Sequence, residues 1–502
     1  MENVFRILCS QPQAWLLDQG LSADRLDASF YEPRFLRDAK ELEDSRIPLV
    51  QIGAEATKAN CGATPKLVQY GDTGAVLIRG ANVRPNFYDD STAQRVPGLE
   101  IDPASNRAIH SGDVLYTMSG VNVGNTAVYP EGEPYASFSN TVARARFDSE
   151  SDVDPYFAAV FLNSRLGMSQ TTRLISGGVL PHVMPNSFKK LRLINASREI
   201  QRSIGIKYRK AERLQQYAKA AARRFEEWLR AATDSGSIDS ASLELLQHDP
   251  ANTNPNSTWV TDFDPADRVD PWPHHVAPTT IVRHLLRQSS SRTFGDVLQV
   301  VSDERQRLTP PAIKGCYYLS VLDINSNGFV DWAVAEENRY SSPGVEVHCG
   351  DILYAMLNPK ERRVGVIPEN HKGTTAASTE VAILRPVEDE RPTPYLLAQV
   401  LRSNWVRVQA TFLTRSSSLS RRRMHESDLV RLVIPWVDEQ VDETEHLLKI
   451  AVDGLSESDA LTRSAAGDIE SLIAGTINVE LLTDEAKQIA RWLERNPVPK
   501  PE

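Results

Sequence analysis

From Arg198 to Ala232 the apolar positions return every seven residues: Ile204, Ala211, Ala218 and Phe225 hold one seam position and Leu214, Ala221 and Trp228 the other. That period predicts a coiled-coil helix rather than an isolated surface helix, roughly 50 Å long at 1.5 Å rise per residue. A second stretch of the same kind runs from Asp438 to Ala474, with Val441, Leu448, Leu455 and Ile469 in one position and Ala451, Ala465 and Leu472 in the other, interrupted by Ser458 and Thr462. Elsewhere the pattern shortens. Between Leu49 and Phe147, β-branched runs such as Ala75 to Ile78 and Ala127 to Tyr129 alternate with Gly, Asn and Pro turns, which predicts strands. Further strands are expected around Val297 to Val301, Tyr317 to Leu322 and Val364 to Ile367. Short helices are expected at Leu16 to Leu42, broken at Pro33, at Tyr156 to Leu166, and at Asp484 to Glu494 ahead of a Pro-rich tail. Ser176-Gly177-Gly178 predicts a loop, and the Ser-, Asn-, Asp- and Pro-rich residues from Asp234 to Pro278 a long connector.

These elements occur twice. Gly112-Asp113-Val114-Leu115-Tyr116-Thr117-Met118 returns as Gly350-Asp351-Ile352-Leu353-Tyr354-Ala355-Met356, an offset of 238 residues (351 − 113). Pro155-Tyr156 and Pro394-Tyr395 each open an apolar run, and Ile200-Gln201 and Glu439-Gln440 each head a long helix, both at an offset of 239 (395 − 156 and 440 − 201). A weaker landmark, Asp24 to Asp27 against Asp267 to Asp270, is offset by 243 (267 − 24). A period this long is a whole globular domain plus a helix, not a solenoid unit. Between the landmarks the copies have diverged, so their variable surfaces are expected to recognise different things.

The chain of 502 residues, 41% hydrophobic and 24% charged, has the composition of a globular protein with room for two cores, which excludes a disordered or fibrous class. No run reaches the roughly 18 apolar residues of a membrane span. Met1 to Leu17 has neither a basic lead nor a cleavage-like end, so the expectation is a soluble, cytoplasmic protein. The four cysteines, Cys9, Cys61, Cys316 and Cys349, form no Cys-x-x-Cys pair and are expected to be buried, reduced and inert. The net charge of −10 hides local excesses of the other sign. Arg198, Arg202, Lys207, Arg209, Lys210, Arg213, Lys219, Arg223 and Arg224 crowd the first long helix, and Arg402, Arg407, Arg415, Arg421, Arg422, Arg423 and Arg431 precede the second. Solvated helix faces account for such runs, but their equivalent placement in both copies favours a polyanionic partner.

No catalytic constellation emerges. There is no phosphate-binding Gly-x-x-x-x-Gly-Lys loop, no Gly-x-Gly-x-x-Gly after a strand, no His-Glu-x-x-His and no Gly-x-Ser-x-Gly elbow to present Ser137, Ser139, His110 or His182. Glu485-Ala486-Lys487 lies on an expected surface helix, and His274-His275 sits among connector prolines, so neither reads as a metal site. No cofactor is expected. Gly112-Asp113 and Gly350-Asp351 read as turns whose aspartates accept backbone N–H bonds.

The order of these landmarks resembles the specificity subunit of type I restriction-modification enzymes over about residues 20 to 475. The shared series is a Gly-Asp-Val/Ile-Leu strand, a Ser/Asn-rich loop, a Ser-rich strand (Ser137-Phe138-Ser139 or Ala377-Ser378-Thr379), Pro-Tyr with an apolar helix, a Gly/Ser loop and a long Gln-headed helix, all twice. The resemblance implies an α+β fold: two target-recognition domains (1–197 and 279–436) related by a pseudo-two-fold axis and joined by two long antiparallel coiled-coil helices (198–232 and 437–475), with a connector at 233–278 and an extension at 476–502. It also implies a non-catalytic subunit that reads a split, asymmetric site in double-stranded DNA. Two methyltransferase subunits would dock on the helices, ATP-dependent restriction subunits would complete the complex, and no membrane would be involved.

The chain departs from the family pattern at Leu193 to Ser197, where a proline-rich approach is usual, in its long connector and in the helix beyond Thr483. DNA is held by cations on phosphates and read by polar side chains on base edges. The loops suited to this carry Arg79, Asn82, Arg84, Asn122, Asn125, Arg173 and His182 in the first copy, and Asn358, Lys360, Arg362, Arg363, Arg415, Arg421, Arg422 and Arg423 in the second. Asn122, Asn125 and Asn358 read equally as turn formers. Two rival readings keep the duplication: a specificity module of another methyltransferase-based phage-defence complex, and a peptide-binding scaffold.

Overall fold

The computed structural model describes residues 28–499 except 65–68, 72, 91–92, 177–179, 235–242, 248–271, 289–290, 302–306, 309–316, 327, 329, 331, 333–334, 336–342, 370, 372, 388–392 and 416–421. Asp24 to Asp27, Asp267 to Asp270, Cys9, Cys316 and Arg421 therefore lie outside the described residues. The chain forms two compact units, Met1–Arg213 with Ser458–Lys500, and Leu214–Glu457. Each is α+β.

In the first unit, helix Pro33–Asp44 begins at the proline expected to break it, since a fixed φ and a missing N–H suit the first helical turn. Strands Lys58–Cys61, Val142–Arg146, Val114–Thr117 and Thr126–Val128 lie side by side in that order, all antiparallel. A second sheet orders Gln94–Val96, Ala75–Ile78 and Ser137–Phe138, the last pair parallel, and Leu49–Gln51 pairs with Arg192–Ile194. Successive strand residues face opposite ways. Val114 and Tyr116 therefore enter a core with Phe157, Phe161 and Ile204, while Leu115 enters another with Ile78 and Phe138. Burial on both faces explains why this strand reads as a continuous apolar run instead of alternating. The expected helix from Tyr156 to Leu166 is two helices, Pro155–Asn163 and Arg165–Leu174, the second started by Ser164, whose hydroxyl accepts from Gly167 N–H.

The second unit has the same plan. Strands Leu298–Val300, Val381–Pro386, Ile352–Ala355 and Val364–Val366 form one antiparallel sheet. Arg307–Leu308, Gly344–Val347, Thr375–Ser378 and Tyr317–Leu319 form the other, its last pair again parallel, and Arg292–Thr293 pairs with Val433–Ile434. Ile352 and Tyr354 face one core and Leu353 the other. Helix Val276–Arg287 already occupies the last part of the expected connector.

The duplicated Gly-Asp is a turn in both units. Gly112 and Gly350 take φ of 86° and 81°. His110 N–H donates to Asp113 Oδ2 at 2.9 Å, and His348 N–H to Asp351 Oδ2 at 2.7 Å. Each aspartate also holds an arginine, Arg146 at 2.6 Å and Arg385 at 3.0 Å, so the buried carboxylate keeps a charged partner.

The long helices are Arg198–Thr233 and Val441–Ile473. Within the first unit Lys207 Nζ meets Asp468 at 2.7 Å, and Ser458 Oγ donates to Ala211 O at 3.1 Å. Within the second, Arg224 meets Glu443 at 2.6 Å, and Gly454 lies so close to Leu214 that a Cβ there would stand 2.9 Å from Leu214 Cδ2. Numbers fall along one helix as they rise along the other, so the pairing is antiparallel. Ser458, an interruption in the sequence pattern, is 2% exposed and bonded inside the seam.

Helix Val479–Arg495 is longer than expected because Asn478 caps it, accepting from Leu481 N–H at 3.1 Å. It is less a surface helix than its sequence suggests: Ala486 is buried and Glu485 reaches the buried Lys207 at 2.8 Å. The cysteine expectation also needs correcting. Cys349 is exposed, because it stands in the turn before Gly350, and Cys61 is only half-buried, its thiol pushed up by desolvation.

Candidate nucleic-acid interface

In each unit two loops distant in sequence are woven together at the end of the central strand. In the first unit the chain leaves Val114–Thr117, turns through Ser119 to Asn125 and returns along Thr126–Val128. Val183 N–H donates to Met118 O at 2.8 Å and Gly120 N–H to Pro181 O at 3.0 Å, laying the loop after helix Arg165–Leu174 beside that turn. Ser176 and His182 exchange two backbone bonds, 2.8 and 3.1 Å.

The second unit repeats the weave. Met424 N–H donates to Met356 O at 3.0 Å, Asn358 N–H to Arg422 O at 2.7 Å, and Arg415 and Arg423 exchange bonds of 2.8 and 3.2 Å. Left-handed backbone recurs at the same places: Gly120 (φ 96°) and Gly124 (93°) in the first unit, Asn358 (50°) and Arg362 (54°) in the second. A left-handed arginine costs about 1–2 kcal/mol that glycine avoids, and such outliers gather at functional sites. At Gly124 glycine is needed for a further reason, since a Cβ would lie 2.7 Å from Thr171 Cγ2.

The side chains on this shared frame differ. Residues 119–125 and 176–184 of the first unit contain no Lys or Arg, whereas 357–363 and 415–424 of the second contain Lys360, Arg362, Arg363, Arg415, Arg421, Arg422 and Arg423 against one acid, Glu361. Several of these cations are braced. Arg415 meets Asp428 at 3.0 Å, Arg423 pairs with Glu380, Arg363 donates to Ile324 O at 2.9 Å, and the Arg422 guanidinium lies 5.0 Å from the Trp272 ring centroid. Arg362 and Arg415 are exposed, and Lys360, Arg363, Arg422 and Arg423 half-buried. Burial, with the Arg362 charge adding to it, pulls nearby Arg402 down to about 10. Asn358 Oδ1 accepts from Arg422 N–H at 3.1 Å, so this asparagine ties the two loops together.

The first unit's sequence candidates separate into groups. Asn122, Asn125 and His182 stand on the woven loops. Asn125 N–H donates to Asn122 O at 3.0 Å and its side chain to Val83 O at 3.3 Å, the turn-forming role. Asn82 is fully buried, with Nδ2 donating to Asp89 O at 3.0 Å and Oδ1 accepting from Arg79 N–H at 3.0 Å, so it shapes the turn rather than facing solvent. Arg84 is exposed and 3.6 Å from Asp89, and Arg79 lies over Tyr70 at 5.6 Å. Arg173 points elsewhere: it donates to Phe30 O at 2.9 Å, stacks on the Phe30 ring at 4.1 Å, and is pulled down by burial.

The sequence reading missed the exposed Val121 and Leu180, whose only signal was an apolar residue inside a Gly-rich loop. It also missed Trp272 beneath Arg422. Among the described residues no three His, Cys, Asp or Glu side chains group as a metal site, and no helix is long and apolar enough to cross a membrane. His275 instead caps helix Val276–Arg287, its Nδ1 accepting from Ala277 N–H at 3.1 Å.

No family model matches the chain, and no curated protein matches it. Among solved structures, it is similar to the crystal structure of a type I restriction-modification system S subunit from M. genitalium (12% identity, TM-score 0.39, covering 88% of this chain and 96% of that one). It is also similar to a chain from a structure concerned with complex assembly and conformational transition of the type I R-M system (15% identity, TM-score 0.26, covering 88% and 98%). A third is the crystal structure of the HsdS subunit from Thermoanaerobacter tengcongensis (15% identity, TM-score 0.22, covering 88% and 96%).

Proposed function

We propose that this chain is the DNA-specificity subunit of a type I restriction-modification system, without catalysis of its own. Each unit reads one half of a split, asymmetric site through its woven loops. The observation that carries this reading is the repetition of one loop frame in both units, with the same hydrogen bonds and left-handed positions but different side chains. A shared frame with divergent side chains is what two readers of unlike sequences require. The cations of the second unit supply phosphate and base contacts, while Asn122 and His182 supply base contacts in the first and Asn125 holds the turn that presents them.

The long helices act as a spacer. At roughly 50 Å they exceed one DNA turn of about 34 Å, so the two half-sites are separated by unread base pairs. The helices also offer the docking surface for two methyltransferase subunits, which ATP-dependent restriction subunits join in the full complex.

Methylome sequencing of cells with and without the gene tests this directly. The expected result is loss of one bipartite, asymmetric motif. An unchanged methylome, or loss of a contiguous palindrome, overturns the proposal, and co-purification of methyltransferase subunits without a restriction translocase would point to another defence system.

A further inference from the structure

We infer that the first unit reads a C5-methyl group in the DNA major groove, that of a thymine, through an apolar pair formed by Val121 and Leu180. This rests on the DNA-reading function proposed above and specifies what one half of the site contains.

The backbone bonds bring the two loops together. Ser119 bridges His182 and Gly120 N–H donates to Pro181 O at 3.0 Å, so Val121 and Leu180 each stand one residue beyond a bonded position. Both side chains are turned outward: Val121 is 98% exposed and Leu180 61%. A β-branched residue held this far into solvent gains nothing from the fold, and exposed apolar surface on a built loop marks a contact site. The loop is braced rather than loose. Val123 N–H donates to Gly120 O at 3.2 Å and Asn125 N–H to Asn122 O at 3.0 Å, and Val has few χ1 states to lose on binding.

The chemistry follows from what the loops lack and what stands beside them. With no Lys or Arg at 119–125 or 176–184, these loops have no fork to engage guanine O6 and N7. The base feature that an apolar side chain recognises is the thymine methyl. The matching frame in the second unit carries Pro359, which is buried, where the first unit has Val121, and its two loops carry Lys360, Arg362, Arg422 and Arg423. One frame thus presents a methyl-reading tip in one unit and a guanidinium-rich tip in the other, which makes the two half-sites chemically unlike.

The test uses the full chain assembled with its methyltransferase subunits and a duplex carrying the motif found by methylome sequencing. Each thymine is replaced singly by deoxyuridine, which removes the methyl and nothing else. Affinity is expected to fall about fourfold at one or two positions, all in one half-site, the value of one buried methyl-sized group. In a Val121→Ser/Leu180→Ser double variant, whose substitutions lie at exposed positions, that penalty is expected to vanish while binding of the deoxyuridine duplex is unchanged. A motif with no thymine, no position sensitive to deoxyuridine, or a penalty that persists in the double variant would each overturn the inference while leaving the specificity function standing. Failure of the wild-type assembly to prefer any sequence would instead remove the functional reading beneath it.

Discussion

Glu212 and the tyrosine of the Pro-Tyr landmark explain each other. Tyr156 Oη donates to Glu212 Oε2 at 3.3 Å, and in the second unit Tyr395 Oη donates to Asp453 Oδ1 at 3.1 Å, each carboxyl standing on a long helix. Burial pushes Glu212 from 4.5 up to about 8, against the opposing effects of the Tyr156 hydroxyl, Arg209 and Arg213. The folded state therefore holds a proton that the unfolded chain releases near 4.5, and stability contributed at that site falls as pH rises from about 5 to about 8. Glu212→Gln keeps an acceptor without the charge. Its melting temperature relative to the unaltered chain is expected to rise steadily between pH 5 and 8, and a difference independent of pH would sink this account. Arg362 offers a second test at this scale. Replacing it by Gly is expected to stabilise the second unit by about 1 kcal/mol by relieving left-handed backbone, while weakening DNA binding. Thermal melts and a binding titration separate the two effects.

At the scale of elements, the heptad seam was the most legible feature of the sequence, because packing demands the same period that the residues display. Phe225 and Trp228 are each 1% exposed, their rings 6.1 Å apart, and Trp228 meets Trp436 edge-on at 5.5 Å. Trp228→Ala is expected to cost about 3–5 kcal/mol, read by denaturant unfolding. The capped or turned ends of elements were less legible. Pro33 starts a helix, Ser164 divides one in two, and Asn478 begins the last helix earlier than its apolar pattern does. Each depends on a single local hydrogen bond or ring constraint that periodicity does not register.

For the whole molecule, the salt dependence of DNA binding measures how many cations meet phosphates. Neutralising Arg421, Arg422 and Arg423 together is expected to weaken binding and to lower the slope of log affinity against log salt by roughly 0.9 for each phosphate that is no longer neutralised. An unchanged slope would remove that loop from the interface.

The sequence by itself determined the duplication, the α+β character and the two seam-bearing helices, since these are written in repeats and periods that survive without knowledge of neighbours. It also located the turn at Gly112-Asp113 and Gly350-Asp351, where backbone geometry and a carboxylate acceptor are local requirements. Only the tertiary structure decided which loops meet. Ser119 to Asn125 and Ser176 to His182 are joined by bonds between residues more than fifty positions apart, which no local pattern encodes. The same long-range packing buried Asn82, turned Arg173 onto Phe30 and left Val121 and Leu180 exposed, because exposure is a property of the assembled surface and not of the residue.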